Sequence, residues 1–457
     1  MHIHVIGIAG TMTCPLAIAL KKAGHTITGS DQEKIYPPIS TNLKNADIPI
    51  NTLKNFKIVD LAIIGSSYLS FSNTKSEFDI IKKLNIPYIS ATKYVGQNIV
   101  KKNSILVVGT GGKTTITSLI TWIFLKAKLN PNYMFGGQSL NKIPSLDFTT
   151  GDWSIVEGDE SINGLDTKAK FLYYPAKYVI LTGANWEHKE SYKNESDNLE
   201  SFRTLIKKIP PDGLLITNSL GHKTETLSLA SRAKVIFYNG QKSDYKIIKK
   251  EISQISKLTF VTPKGNLSIK TSLLGTFNFE NILAAVTLCM EIGINPKIIQ
   301  KAVSSFRGIS RRLQKIISKN NLHFYDDFAQ SPERIKSALD AVKLHFPNQR
   351  IFVYLEPHAS FLLTTSGLIG LGNALSDCTK IILSKIPFKT NIPISTRATA
   401  KHYSDEIGDN LIYIPQNKEL YKYFHQTLKP NDILVHFSSG GAEGLKTFKK
   451  ITSYRTQ

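Results

Sequence analysis

The sequence predicts an α/β protein of three domains, and three observations carry that expectation. The chain has 457 residues, 41% of them hydrophobic, which is too long for one compact core and enough for two or three. Short apolar runs bounded by Gly, Ser, Asn or Asp alternate with longer stretches of helical period. Glycine turns follow two of the runs and open helices, as parallel α/β units require.

The runs read as buried parallel strands: His2 to Ile8, Leu61 to Gly65, Ile105 to Gly109, Ile155 to Gly158, Tyr178 to Leu181, Ile351 to Leu355 and Ile433 to Phe437. They group into three blocks, 1–100, 101–308 and 309–457. The first opens with a strand, a Gly turn and a helix, and reaches Gly29-Ser30-Asp31 after a second strand, a Rossmann-like start. The second resembles a P-loop ATPase domain and departs from the parallel pattern near Lys257 to Thr271. There alternating residues flank Pro263-Lys264-Gly265-Asn266, the signature of a small antiparallel hairpin. The third again alternates strand and helix, Rossmann-like to its end.

Composition narrows the classes of function. Lys and Arg number 57 against 35 Asp and Glu, a formal charge of +22, but the lysines are spread along the chain and no nucleic-acid motif accompanies them. Biased genome composition or a polyanionic substrate such as a nucleotide explains the charge without a nucleic-acid partner. The three cysteines, Cys14, Cys289 and Cys378, lie far apart, with neither a disulfide framework nor a zinc-ligand spacing. The N-terminus lacks a signal-peptide pattern, and no apolar window is long enough to span a bilayer. The expectation is a cytoplasmic protein without stable membrane association.

The sharpest local pattern is Gly109-Thr110-Gly111-Gly112-Lys113-Thr114-Thr115, between the strand Ile105 to Val108 and the helical stretch Ile116 to Lys126. Small residues let backbone N–H groups curl around phosphate oxygens, the lysine meets the β- and γ-phosphates, and a threonine hydroxyl can hold Mg²⁺. This is the pattern of an ATP site, although Val107 stands at the first glycine position of the full motif. A second turn, Gly7-Ile8-Ala9-Gly10-Thr11, and Asp31 at the end of the second strand suit a ribose-bearing ligand, or an ordinary turn equally well. Two acidic clusters follow strands of the second block: Glu157-Gly158-Asp159-Glu160 and Glu187-His188-Lys189-Glu190. At the carboxyl ends of parallel strands they would face the phosphates and hold Mg²⁺; taken singly, each also reads as a solvated loop. Asn278 and Asn281 share one face of a helix start and suit a purine edge or a helix cap. Arg311-Arg312, followed by Tyr325-Asp326-Asp327-Phe328-Ala329, offers a cation for a transferring phosphoryl group and an acid for a ribose or metal, or else plain surface charge.

In this order the motifs resemble the Mur ligase family over essentially the whole chain: the Gly-Thr-x-Gly-Lys-Thr loop, the Glu-rich strand end, the acid-His-x-acid segment, the Gly-x-x-Asn-x-x-Asn helix start, the Arg-Arg pair and Asp-Asp-Phe-Ala. Within the family, the start His2 to Thr11, Gly29-Ser30-Asp31, Tyr36-Pro37-Pro38-Ile39-Ser40-Thr41, Leu355-Glu356-Pro357 and Ser438-Ser439-Gly440-Gly441 look most like the branch of peptidoglycan recycling. That branch joins UDP-N-acetylmuramate to the murein tripeptide L-Ala-γ-D-Glu-meso-diaminopimelate. The resemblance implies an ATP-dependent carbon–nitrogen ligase with a UDP-sugar-binding first domain, an ATP-binding second domain and a third domain that contributes to ATP and acceptor binding. By the same resemblance Lys113 and Arg312 hold the γ-phosphate while the muramic acid carboxylate attacks it. Mg²⁺, with Mn²⁺ as the alternative, sits on Thr114, Glu157 and His188. Asn278 and Asn281 contact adenine, Asp326 or Asp327 the ribose, and Gly10, Thr11, Ser30 and Asp31 the UDP portion.

Some family residues are replaced: Gly111, Phe277, Gln330 and Ser331 stand where histidines are usual, Glu187 where Asp is, and Glu356-Pro357-His358-Ala359-Ser360-Phe361 where Glu-Pro-Arg-Ser-Asn-Thr meets the incoming peptide. His358 thus occupies the position of an acceptor-binding arginine. Two other readings are a UDP-N-acetylmuramate L-alanine ligase and a Mur-like nucleotide-binding protein without ligase activity. The intact Gly112-Lys113-Thr114-Thr115 with Arg312 speaks against the second.

Overall fold

β-Branched and aliphatic runs set the strands, and many of the parallel ones are followed by a helix. The computed structural model describes residues 1–50, 59–187, 191–319, 322–390, 392–440, 446 and 449–451. It falls into two compact units: Met1–Glu251 with Ile255–Leu273 and Phe277–Gly308, and the residues from Ile309 on, with Ile252–Gln254 and Leu274–Thr276.

Strand β1 (His2–Ile6), helix α1 (Thr13–Lys22), β2 (Thr26–Ser30), α2 (Ile39–Asn45), β3 (Leu61–Ile64), α3 (Ser72–Lys83), β4 (Tyr88–Ser90) and α4 (Ala91–Asn98) build the first domain of the first unit. Its sheet is parallel, in the order β2-β1-β3-β4. Ile3 and Val5 of β1 and Leu16, Ala17 and Leu20 of α1 are buried in one core, as strand alternation and helical spacing require.

The second domain of this unit comprises β5 (Asn103–Val108), α5 (Lys113–Lys126), β6 (Asn132–Met134), β7 (Leu146–Asp147), β8 (Trp153–Glu157), β9 (Tyr178–Leu181), α6 (Glu195–Lys207), β10 (Leu214–Asn218), α7 (Thr224–Ser228), β11 (Lys234–Tyr238), β12 (Lys246–Glu251), β13 (Ser256–Val261), β14 (Leu267–Thr271), α8 (Thr276–Glu291) and α9 (Pro296–Ser305). Seven strands form one sheet, β11-β10-β9-β5-β8-β6-β7, with only the edge pair β6–β7 antiparallel. The predicted hairpin is the pair β13–β14, and β12 extends it to a separate antiparallel sheet of three strands. β5 lies in the middle, and its Ile105, Leu106, Val107 and Val108 are fully buried. Each such side chain contributes about 1.5–3 kcal/mol relative to an exposed one.

In the second unit, β15 (Gln314–Lys319), β16 (Leu322–Asp327), α10 (Pro332–His345), β17 (Ile351–Glu356), α11 (Thr365–Leu368), α12 (Leu371–Leu375), β18 (Lys380–Leu383), α13 (Ala400–Ile407), β19 (Leu411–Tyr413), α14 (Asn417–Thr427) and β20 (Ile433–Ser438) follow one another. The sheet order is β15-β16-β20-β17-β18-β19, parallel except for β15. Val353, Leu355, Val435 and Phe437 face one core, while Phe352, Tyr354 and Leu434 face the other. The expected three-domain α/β architecture is thus the observed one. Among the described residues no helix is long and apolar enough to cross a membrane.

Close packing at β2 gives a first prediction. A Cβ on Gly29 would lie 2.4 Å from Ile8 Cδ1 and 2.8 Å from Val5 O. Gly29→Ala will therefore destabilise the protein by about 1–3 kcal/mol, the usual cost of overpacking, read as a lower denaturant midpoint with unchanged m.

Candidate active site

Parallel register builds the site around Lys113. β5 pairs with β8 on one side, Val107 opposite Glu157, and with β9 on the other, Val108 opposite Leu181. The chain leaving β5 is therefore flanked by the chains leaving both neighbours, at the carboxyl ends of the strands. Gly109 turns there with φ +105°, and a Cβ at that position would sit 2.3 Å from Gly183 O. Gly111 and Gly112 also have positive φ, and Lys113 opens α5. The loop is held from the β9 side: Thr110 N–H donates to Gly183 O at 2.9 Å, Asn185 N–H to Thr110 Oγ1 at 2.8 Å, and Thr182 Oγ1 to Gly111 O at 3.0 Å. From α8, Asn281 lies against Gly112, where an added Cβ would meet its Oδ1 at 2.2 Å. Asn281 Nδ2 donates to the buried Asn278 Oδ1 at 3.3 Å. The structure thus brings the asparagine pair to the loop.

The acidic cluster after β8 divides into distinct tasks. Lys113 Nζ donates to both carboxylate oxygens of Glu160, at 2.9 and 2.8 Å, and to Gly109 O at 2.9 Å. The lysine side chain is 16% exposed and that of Glu160 3%. Lys113 is thus a half-buried member of an ion pair whose acidic partner is buried. Asp159 turns away to Lys170 Nζ at 2.7 Å and to Ser161. Burial would raise the Asp159 pKa, but Lys170 and the Ser161 donors outweigh it and hold the carboxyl at about 2.

Glu157 accepts from Thr114 Oγ1 at 2.9 Å and from Gly136 N–H at 2.6 Å. Its pKa is raised by burial, against the lowering effects of Gly136, Thr114 and Lys113. A buried carboxylate bonded by neutral donors, beside a threonine hydroxyl, is a pair of hard oxygens that fits Mg²⁺. Among the described residues no group of three or more His, Cys, Asp or Glu is gathered to hold a metal. His188, the third expected ligand, lies outside the described residues.

In the first domain the expected substrate residues separate into two kinds. Asp31 Oδ2 accepts the Ala9 N–H at 2.7 Å and Oδ1 the Gln32 N–H at 2.8 Å, while Ser30 Oγ donates to Glu77. Both residues are buried, so they shape the turn after β1 rather than present free groups to a ligand. Thr11 stands exposed on that turn, next to the half-buried Gly10.

The acids of the second unit are also occupied from within. Asp327 accepts N–H bonds from Leu313 and Ala329, both at 2.7 Å, and its pKa is raised chiefly by burial. Asp326 is fully buried and bonded to His436 Nδ1 at 2.8 Å. Both carboxylates, expected at a ribose, are buried and bonded to the local backbone or to a buried partner. The paired arginines differ: Arg311 is spent on Gly440 O, Ser438 O and the ring of Phe328, whereas Arg312 is exposed. His358 is half-buried, and a Cβ on Gly440 would meet its ring at 2.5 Å. Burial first, then Lys389, His436 and Arg311, push its imidazole pKa down against the pull of Glu356. Sequence reasoning missed His436, whose only signal was one polar residue inside the apolar strand Ile433 to Phe437.

Two predictions follow from the buried charges around Lys113. Lys113→Ala will lower the melting temperature, because it removes one partner of a largely buried ion pair, and adding Glu160→Gln will recover part of the loss. Equal melting temperatures for the single variant and the unaltered protein would refute the pairing. Asp159 has its folded pKa depressed from 3.8 to about 2, so the stability it contributes is present above 3.8 and lost as pH falls toward 2. Asp159→Asn will flatten the stability curve in that interval, measured by urea unfolding at stepwise pH.

Comparison with known proteins bears on the same segments. Residues 2–102 match the Mur ligase family catalytic domain, 107–289 the Mur ligase middle domain and 311–440 the Mur ligase glutamate ligase domain. The UDP-N-acetylmuramate–L-alanine ligase of Pelagibacter ubique (strain HTCC1062) is 31% identical over 369 residues, 78% of this chain and 77% of that one. The UDP-N-acetylmuramate–L-alanyl-γ-D-glutamyl-meso-2,6-diaminoheptandioate ligase of Escherichia coli (strain K12) is 26% identical over 97% of this chain and 96% of its own. The crystal structure of the UDP-N-acetylmuramate–alanine ligase of Thermotoga maritima superposes with a TM-score of 0.79 at 20% identity, covering 100% of this chain and 99% of that one, and so shares the fold. The chain belongs to the Mur ligase family, whose members are ATP-dependent amide ligases, and is an enzyme of that class.

Proposed function

We propose that the protein joins the carboxylate of UDP-N-acetylmuramate to the amino group of L-alanine, with ATP consumed. The likeness to the L-alanine ligase of Pelagibacter ubique, at 31% identity, carries this choice of acceptor. It displaces the tripeptide acceptor that the Tyr36–Thr41 segment first suggested. That second reading keeps one specific support, the 26% identity to the Escherichia coli tripeptide ligase over nearly the whole chain.

The chemistry assigned to the residues is the same for both acceptors. Lys113, at the head of α5, neutralises the transferring phosphate as a carboxylate oxygen bonds to phosphorus and the bond to ADP breaks. The amine nitrogen then bonds to the acyl carbon, a proton leaves the nitrogen, and inorganic phosphate departs. The loop amides from Gly109 to Thr115 cradle phosphate oxygens, and their positive-φ glycines leave room for that approach. Thr114 and Glu157 would hold Mg²⁺, with His188 as a further ligand, and the bound ion would offset phosphate charge. Asn278 and Asn281 are assigned to the base, Arg312 to a phosphate, Gly10 and Thr11 to the UDP portion, and His358 to the acceptor. The cytoplasmic setting expected from the sequence belongs to the same reading.

Phosphate release from ATP with UDP-N-acetylmuramate, comparing L-alanine with the tripeptide, decides between the acceptors. The expected result is a larger kcat/KM for L-alanine; preference for the tripeptide would restore the recycling reading. Release with neither acceptor would defeat both.

A further inference from the structure

The second unit buries a charged group for which the ligase chemistry has no use. His436 lies on β20 with no exposed surface, between Asp326 on β16 and Tyr354 on β17, each its direct partner in register. Its Nδ1 is 2.8 Å from Asp326 Oδ1 and its Nε2 is 3.1 Å from Glu356 Oε2. Its ring stacks on that of Tyr354, with centroids 4.7 Å apart and planes inclined by 19°. Tyr354 OH donates in turn to Glu356 Oε1 at 2.5 Å. From the segment before β15, Arg311 Nε stands 3.4 Å from Asp326 Oδ2.

A neutral imidazole has one donor and one acceptor, so it can satisfy only one of two ionised carboxylates. Here both ring nitrogens face carboxylate oxygens. Protonation lets both donate, and His436 with Arg311 then balances Asp326 and Glu356 charge for charge in an interior that tolerates little net charge. Burial alone would push the histidine pKa down, but the two carboxylates reverse this and hold it above the ordinary value. The same contact holds Glu356 at about 2 against its burial.

The three strands tied in this way carry the unit's loops at their ends. Asp326 is followed by Asp327 and Phe328, Glu356 by Pro357 and His358, and His436 by the 438–440 segment. Arg311, held at Asp326, clamps Ser438 O and Gly440 O, and Gly440 packs on the His358 ring.

We propose that His436 is a positioning residue: an imidazolium that locks the carboxyl ends of β16, β20 and β17 together and thereby fixes His358 and the 438–440 segment. Since the folded pKa is raised, the stabilisation is fully present below the unfolded value of 6.5 and is lost as pH rises through the folded pKa. Among the described residues the charged and titratable groups around the ring are Asp326, Tyr354, Glu356, Arg311 and His358, and the two carboxylates set the sign.

The protonation state can be read without any substrate. In the full chain labelled with ¹⁵N-histidine, the signal lost in His436→Gln identifies this ring among the 11 histidines. It should keep both nitrogens protonated to a higher pH than an unperturbed histidine does. Titration at or below the ordinary histidine value overturns the proposal. Glu356→Gln removes one carboxylate charge and should lower the titration of His436 by about one pH unit or more; an unmoved titration also overturns it, and if His436→Gln does not fold, the ring is identified instead by its through-space contact with the stacked Tyr354 ring. The positioning role rests on assigning His358 to the acceptor. It is read as a rise in acceptor KM of roughly tenfold in Glu356→Gln, the equivalent of about 1.4 kcal/mol, with the KM for ATP unchanged. An altered KM for ATP alone would overturn the positioning role, whereas absence of ligase activity in the unaltered protein would fault the functional reading and leave the spectroscopic result standing.

Discussion

Everything at the Lys113 site depends on the position of β5 in its sheet. A strand buried on both faces and paired on both edges has no freedom to slip, because a shift of one residue would turn Ile105 to Val108 out of one core and into the other. That fixed register sets where Gly109 leaves the sheet, and with it the flank formed by Thr182 and Gly183 on one side and Glu157 and Gly158 on the other. The glycines then do what no other residue could do there. A side chain at Gly109 would collide with the backbone of Gly183, and one at Gly112 with Asn281. The start of the loop is therefore placed by the hydrophobic burial of the strand before it.

Charge is handled differently in the two units. In the first, Lys113 is paired with Glu160, so under the proposed function an incoming phosphate would compete with a carboxylate at hydrogen-bond distance. Such a pair keeps Lys113 ordered and makes its buried charge tolerable, at some cost in binding energy. In the second, Asp326, His436, Glu356 and Arg311 form a set that is neutral as a whole. Its charges lie on three neighbouring strands and the segment before β15, held together by the register of the sheet.

The division bears on how the family's chemistry is varied. Phosphate handling rests on backbone geometry and a few small residues, which tolerate wide sequence divergence as long as the turn survives. In the proposed function acceptor choice would rest on side chains at strand ends, such as His358 in place of an arginine, where a fork of parallel hydrogen bonds is exchanged for a single imidazole. Identity in the range of 26–31% to enzymes with different acceptors fits that picture.

The sequence by itself determined what periodicity and small residues encode. Parallel strands such as Tyr178–Leu181 were legible as apolar runs, the antiparallel hairpin β13–β14 from its turn, and the phosphate loop from glycines and one lysine between a strand and a helix. Strand β12, Lys246–Glu251, was not, since its lysines conceal the alternation. Which partner each polar residue would take was decided only by the tertiary structure. Ser30, Asp31, Asp326 and Asp327 read as ligand contacts because acids and hydroxyls at strand ends usually face the crevice, yet each is buried on a backbone or side-chain partner from a neighbouring element. Hydrophobic pattern is a property of one segment and survives in the linear chain. A hydrogen bond between Asp326 and His436 spans 110 residues, and only the register of two strands brings its ends together.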